Sequence, residues 1–164
     1  MIRKGGVLDV EIVERVPAVV WRGRGELELL DETGHRVAPL EARGKRADLP
    51  LIAGDGADQA VQEALSLVAA AAPVADRVRG LLRVGERRWD LILDRNQRIM
   101  LPEAQPVAAL ERILALNEVN DLLNRDVVAV DLRDAKRPTL RLSADAVEFL
   151  HQVAAPLRTG DDNL

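Results

Sequence analysis

Paired carboxylates are the first residues in this sequence that could do chemistry. Glu11 and Glu14 form one pair, and Asp90 and Asp94 form another. A glycosidase needs an acid and a base about 5 to 10 Å apart in a cleft. Spacing along the chain does not place either pair in a cleft, and solvated strand edges and turns explain the same four residues.

Nucleophiles and metal ligands are sparse. The sequence has no cysteine, which excludes disulfides and thiolate metal sites. The histidines, His35 and His151, are far apart and are expected on the surface. Ser66 and Ser143 do not lie in the strained Gly-x-Ser-x-Gly turn of a serine hydrolase. The sequence therefore predicts no catalytic, metal or cofactor site.

Three short stretches contain glycines or arginines of the kind found in phosphate-binding sites. Residues 54–56 (GDG) and 21–25 (WRGRG) lack the residues that follow phosphate-binding glycines, so they are predicted to be turns. Residues 83–89 (RVGERRW) could bind a phosphate or an acidic partner, with Trp89 as an interface anchor. Alternatively, this stretch is a strand with outward arginines and an inward Trp89. Both interpretations stay open.

Composition limits the class of protein. At 164 residues and 48% hydrophobic, the chain can bury one substantial core. A net charge of -4 gives no basic field for nucleic acid. The longest apolar tract, residues 65–74, is too short for a bilayer, and no signal-peptide pattern opens the sequence. We expect a soluble chain that does not bind nucleic acid.

Hydrophobic periodicity predicts the elements that position these side chains. Residues 7–14 (VLDVEIVE) alternate like a strand, but no hairpin partner follows nearby. Helices are predicted at residues 58–71 and 107–124, and a last helix after an N-cap at Ser143. The second helix has an apolar side made of Leu110, Ile113, Leu114, Val119, Leu122 and Leu123.

A late hairpin completes the predicted fold. Residues 127–142 (VVAVDLRDAKRPTLRL) read as two strands around a polar turn, and no later strand covers the second one. In RRWDLIL, Trp89 is predicted to pack into the sheet with Leu91 and Leu93 on its side. The fold class is α+β, a mostly antiparallel sheet with helices packed on one face.

The order of five motifs resembles the FtsQ/DivIB family of bacterial cell-division proteins. The resemblance covers about residues 7–143, and the continuation RPTLRLS with its helical tail is most similar to the alphaproteobacterial branch. The motifs are VERVPAVVW (residues 13–21), LLDETGHRV (29–37), LPLIAGDG (49–56), RRWDLIL (87–93) and VDLR (130–133).

The resemblance implies a protein that is not an enzyme. Members are single-pass inner-membrane proteins with a periplasmic POTRA domain and a larger β domain with a curved sheet. They act as divisome scaffolds at the septum, where they join FtsB and FtsL and help control septal peptidoglycan synthesis. On this basis residues 1–22 are a POTRA remnant and junction, 23–143 the β domain, and 144–164 a C-terminal helix and tail.

The resemblance also implies a partner-binding site at the late hairpin. FtsB adds a strand to the edge strand, and family arginines match Arg87 and Arg133. Asp134 stands where relatives often carry Tyr, which makes contact there more polar. The helix after Ser143 would either shield the edge or frame a groove. The residues of the edge strand are Thr139, Leu140, Arg141 and Leu142.

Two other functions stay open from the sequence. One is a POTRA-like envelope or secretion adaptor that also binds by strand addition. The other is a cell-wall hydrolase, which would need two carboxylates in a cleft, at least one with a strongly raised pKa.

Overall fold

The computed structural model describes residues 5–6 and 10–154, which form a single sheet with three α-helices. The helices are α1 (Val61–Ala70), α2 (Pro106–Asn120) and α3 (Ala144–Ala154). The strands are β1 (Val19–Arg22), β2 (Leu27–Leu30), β3 (Arg36–Leu40), β4 (Leu51–Ala53), β5 (Val78–Val84), β6 (Arg88–Leu93), β7 (Arg98–Met100), β8 (Val127–Asp131) and β9 (Thr139–Leu142).

The strand order of the sheet is β3-β2-β1-β4-β5-β6-β7-β8-β9. Within the described chain, the pairs β1–β4, β4–β5 and β7–β8 are parallel, and the other neighbouring pairs are antiparallel. Each parallel pair is joined through a longer connection, and α1 and α2 lie in two of these connections. The α+β class and the mostly antiparallel sheet are confirmed.

One face of the sheet packs against α1 and α2 to form the core. Trp89, Leu91 and Leu93 alternate along β6 and are buried together, as predicted. Leu67 of α1 and Leu110 of α2 belong to the same buried cluster. This face is called the helix-covered face, and the opposite face of the sheet is called the open face.

The second helix ends earlier than the sequence predicts. Asp121 adopts a left-handed backbone with φ of 50°, and its N–H donates to the Asn117 carbonyl. That conformation ends α2 at Asn120. Leu123 is buried, but it belongs to the short turn that follows the helix. Val119, predicted on the apolar side, is instead 82% exposed. The predicted apolar side is confirmed for Leu110, Ile113, Leu114 and Leu123, with Leu122 packed against the core, and is wrong for Val119.

The predicted N-terminal strand does not form in the described residues. Residues 10–17 have no strand, and Ile12 is 84% exposed. Leu8 and residues 7–9 lie outside the described residues. Alternation produces a strand only where another strand can pair with it, and none of the described strands lies beside this segment.

An ion pair joins the segment before β1 to the sheet. Arg15 donates to Asp31 at 3.0 Å, at the turn between β2 and β3. β1 falls inside the predicted remnant of residues 1–22 but pairs with β2 and β4 of the sheet. The division of the chain into a POTRA remnant and a β domain stays a prediction. By its pairing, β1 belongs with the strands of the sheet.

A buried glutamine fixes the start of β8. Gln97 is 2% exposed, and its Nε2 donates to the carbonyls of Leu123 at 3.0 Å and Val127 at 2.7 Å. Its Oε1 accepts a hydrogen bond from Arg77 at 2.9 Å. These bonds join the turn before β7 to the segment that leads into β8. The strand that supports the β9 edge is therefore held by side-chain as well as ladder hydrogen bonds.

We expect Gln97→Leu to lower the free energy of unfolding by about 2 to 4 kcal/mol, because it removes the side-chain donor to the Val127 carbonyl, one of the donors to the Leu123 carbonyl and an acceptor of Arg77. Urea denaturation followed by circular dichroism measures this. Gln62→Leu, at an exposed position of α1, is the matched control and should change stability by less than about 0.5 kcal/mol. Equal stabilities for the two variants would contradict the structural role of Gln97.

Candidate partner-binding site

The predicted last strand forms and lies at an edge of the sheet. β9 pairs with β8 on one side, and no other described strand lies on its second side. Thr139, Leu140 and Arg141 are exposed. An edge strand presents a row of unpaired backbone N–H and C=O groups, which another chain can extend.

The other edge of the sheet is different. β3 carries Pro39, paired in register with Glu28 of β2. Proline has no backbone N–H, so strands tolerate it where its nitrogen faces away from the sheet. The outer side of β3 therefore lacks a donor in the middle of the strand, whereas β9 contains no proline.

The two faces of β9 carry different side chains. Leu140 is opposite the buried Val130, and Leu142 is opposite Val127, so both point to the helix-covered face. Arg141 is opposite Ala129, on the open face. Side chains alternate along a strand, so the edge is apolar on one face and basic on the other.

Charged residues continue across the open face. Asp90 is 1% exposed, 3.3 Å from an Arg98 Nη1 and 3.6 Å from an Arg88 Nη1. Burial raises the pKa of Asp90, and the positive charges of Arg88 and Arg98 oppose that rise. At the end of β8, Arg133 binds both carboxylate oxygens of Asp131 and lowers the pKa of Asp131 by hydrogen bonding. We call these five residues the charge cluster.

Most of the predicted site residues come together in the β8–β9 hairpin. Arg133 and Asp134 begin its turn, and Thr139 begins the edge strand. The Asp134 carboxylate accepts the Lys136 N–H at 2.9 Å, so this residue stabilises its own turn. Arg133 is half exposed and already paired with Asp131. The hairpin thus brings six of the seven predicted residues together at one edge of the sheet, on both of its faces.

Arg87 is not part of that surface. It follows a tight turn between β5 and β6, in which Gly85 and Glu86 have φ of 59° and 56°. It is exposed and has no ion pair with another described residue. Three strand spacings, about 14 Å, separate β6 from β9. Arg87 lies at the same end of the sheet as Arg133, where a partner longer than a single strand would reach it.

Sequence reasoning considered Asp90 only as a partner of Asp94 and missed its ion pairs with Arg88 and Arg98. The alternation in RRWDLIL places Arg88 and Asp90 on the face opposite Trp89, which was a usable signal. Arg98 carried no such signal, because only the pairing of β6 with β7 brings it to Asp90.

α3 begins directly after the edge strand. Ser143 caps it, with its Oγ accepting the Ala146 N–H at 3.2 Å, as predicted. No described residue of α3 is buried, and Phe149 is 65% and Leu150 52% exposed. Leu140 remains 46% exposed beside the described part of α3, so residues 144–154 leave this side chain accessible.

The suggested carboxylate pairs do not form an acid and base pair. Asp90 and Asp94 are four residues apart along an extended strand, about 13 Å, which is beyond the glycosidase range. Glu11 and Glu14 are exposed in a segment without secondary structure. Within residues 5–6 and 10–154, no cluster of three or more His, Asp or Glu side chains could hold a metal ion.

A family model for the C-terminal part of the cell division protein FtsQ/DivIB matches residues 18–133. The chain belongs to the FtsQ/DivIB family. The matched region begins just before β1 and ends at Arg133, so β9 and α3 follow it. None of the described helices has the length and apolar character needed to cross a membrane.

Individual FtsQ proteins are similar over nearly all of this chain. The cell division protein FtsQ of Cereibacter sphaeroides is 52% identical over 98% of this chain and 52% of its own length. FtsQ of Paracoccus denitrificans is 51% identical over 98% of this chain and 47% of its own length. The chain therefore spans about half the length of these curated relatives. They are mostly alphaproteobacterial, as the RPTLRLS motif predicts.

A more distant FtsQ protein and one solved structure are also similar to this chain. FtsQ of Rhizobium radiobacter is 36% identical over 93% of this chain and 71% of its own length. A solved structure of the major extracytoplasmic domain of the trans isomer of DivIB from Geobacillus stearothermophilus is 16% identical. The superposition covers 68% of this chain and 98% of the solved chain, with a TM-score of 0.45.

Proposed function

We propose that this chain is the partner-binding part of a non-enzymatic divisome scaffold. It recruits FtsB and FtsL at the division septum, on the periplasmic side of the inner membrane, and helps control septal peptidoglycan synthesis. The observation on which this rests is the open edge of β9, which follows directly on the region matched by the FtsQ/DivIB family model.

Backbone pairing is the main binding interaction in this proposal. β9 offers unpaired donors and acceptors, while β3 lacks a donor at Pro39. An added strand of FtsB gains hydrogen bonds at β9 that β3 supplies less well. The asymmetry supports β9 as the edge that receives FtsB.

Charge supplies the second part of the interaction. Arg133 at the hairpin and Arg87 at the β5–β6 turn are exposed at the same end of the sheet. Acidic residues of FtsB that flank the added strand would pair with them. Asp134 adds a carboxylate beside Arg133 and disfavours further acidic residues at that point.

We expect Arg87→Glu to weaken binding of the FtsB periplasmic segment about fivefold to tenfold at low salt, and less at high salt, where screening is stronger. Titration by fluorescence anisotropy at two salt concentrations measures this. The matched control is Arg79→Glu, an equally exposed arginine at the start of β5, near the opposite end of the sheet. It makes the same change in net charge and should reduce binding much less.

Two outcomes would contradict the proposal. Absence of binding between the folded wild-type chain and the FtsB segment removes the proposed recruitment. Equal losses for Arg87→Glu and Arg79→Glu would show that only total charge matters, and Arg87 would then have no specific role.

A further inference from the structure

The side chains on β9 constrain the strand that pairs with it. In a paired strand, each residue lies beside a β9 residue and points to the same face of the sheet. A residue next to Leu140 or Leu142 therefore meets apolar side chains on the helix-covered face. A residue next to Arg141 meets the open face.

The open face near β9 contains a row of two arginines around a small residue. Arg98 of β7 is in register with Ala129 of β8, and Ala129 is in register with Arg141 of β9. The two arginine Cα atoms are thus about 10 Å apart, with no bulky side chain between them. Arg98 is 45% exposed and binds Asp90, whereas Arg141 has no ion pair with a described residue.

Arg141 is the charge nearest to an incoming strand. Side chains directly opposite each other in neighbouring strands have Cβ atoms about 5 Å apart. At this Cβ separation the side chain of an Asp or Glu beside Arg141 can form an ion pair with the guanidinium. A lysine or arginine at the same place is repelled. The rest of the edge offers Thr139 on the same face, which is uncharged.

We propose that the segment added to β9 alternates acidic and apolar residues, and that Arg141 selects its acidic side chains on the open face. Leu140 and Leu142 select the apolar side chains on the other face. This inference rests on strand addition to β9, the proposed function, and specifies the chemistry of the partner.

A second copy of this chain fits the edge less well. In two antiparallel β9 strands related by a two-fold axis, one residue pairs with its own copy at the centre. Because side chains of paired residues share a face of the sheet, this central residue is Leu140 or Arg141. Centring on Arg141 places two guanidinium groups opposite each other, which is unfavourable. Centring on Leu140 places each Arg141 opposite Thr139, which has no charge to offer. An acidic partner satisfies Arg141 in every register that keeps the faces matched.

Synthetic peptides test the alternation directly. Labelled, capped six-residue peptides are titrated against the whole chain: alternating Val and Glu, alternating Val and Gln, and a block peptide of three Val followed by three Glu. The Val/Glu peptide should bind at least about fivefold more tightly than either of the others. The Val/Gln peptide keeps the backbone and the alternation, and the block peptide keeps the composition.

Charge reversal provides the matched variant. Arg141→Glu should lose preference for the Val/Glu peptide and gain it for an alternating Val/Lys peptide, in each case by about fivefold. Arg125→Glu, an exposed arginine outside the strands, makes the same charge change and should keep the wild-type preference. Circular dichroism confirms that both variants are folded.

Each contrary outcome has a separate meaning. Equal binding of the Val/Glu and Val/Gln peptides, or no reversal in Arg141→Glu, overturns the alternation and leaves strand addition standing. Binding by none of the peptides also overturns the inference. A dimer of this chain in sedimentation that persists in Arg141→Glu and is abolished by Leu140→Pro would make a second copy the occupant. The proposed function fails separately, if the FtsB segment binds Leu140→Pro as tightly as wild type.

Discussion

Leu140→Pro is expected to weaken binding of the FtsB segment at least about 30-fold. Proline removes a backbone N–H and fixes φ, and the lost hydrogen bond and strain together amount to about 2 kcal/mol or more. Leu140 lies in the middle of β9, so the loss occurs where an added strand must pair. Titration of the purified, folded variant against the FtsB segment gives the affinity.

Thr139→Pro distinguishes the hydrogen bonds on the two sides of β9. The Ser143 N–H donates to the Asp126 carbonyl, so alternation along β9 turns the Thr139 N–H toward β8 and the Leu140 N–H toward the open edge. Thr139→Pro therefore removes a donor that faces β8, whereas Leu140→Pro removes one from the open edge. Thr139→Ala changes only a side chain and should have little effect on binding. If folded Leu140→Pro binds the FtsB segment as tightly as wild type, the partner binds on another surface.

Trp89→Ala is expected to lower the free energy of unfolding by about 3 to 5 kcal/mol, as for other large aromatic residues in a core. Its ring is fully buried with Leu91 on the helix-covered face, and the Arg83 guanidinium lies 4.9 Å from the ring centre. The substitution leaves a cavity and removes the ring that the Arg83 guanidinium stacks on, while Arg83 keeps its ion pair with Glu63. Urea denaturation followed by far-UV circular dichroism measures the change without depending on tryptophan fluorescence.

Trp89→Phe is the control for aromatic packing. It keeps most of the buried volume and removes an indole N–H that has no hydrogen-bond partner within the described structure. We expect it to cost less than half as much as Trp89→Ala. A change below about 1 kcal/mol for Trp89→Ala would place the ring outside the core and restore an interface role for residues 83–89.

The sequence predicted the features that depend on neighbouring residues. Alternation around Trp89 placed three residues on the core face, and Ser143 was correctly predicted to cap α3. The late hairpin was predicted from two alternating runs and a polar turn. Each of these signals lies within about ten residues, which is the range over which side-chain period and capping act.

Features that depend on distant pairing were not predicted. The three parallel strand pairs and the position of Arg98 beside Asp90 follow from register between separated segments. The early end of α2 arises from one backbone conformation at Asp121, a residue that usually tolerates several. The N-terminal alternation predicted a strand because a single sequence does not show whether a pairing partner exists.

The unequal edges of the sheet also bear on how many partner strands one molecule would bind. A sheet with two equivalent free edges can be extended at both, and identical molecules can then polymerise edge to edge. Here Pro39 interrupts the outer side of β3, and β9 alone keeps a complete row of donors. If partners bind by the proposed strand addition, we expect each molecule to take up one partner strand, at β9.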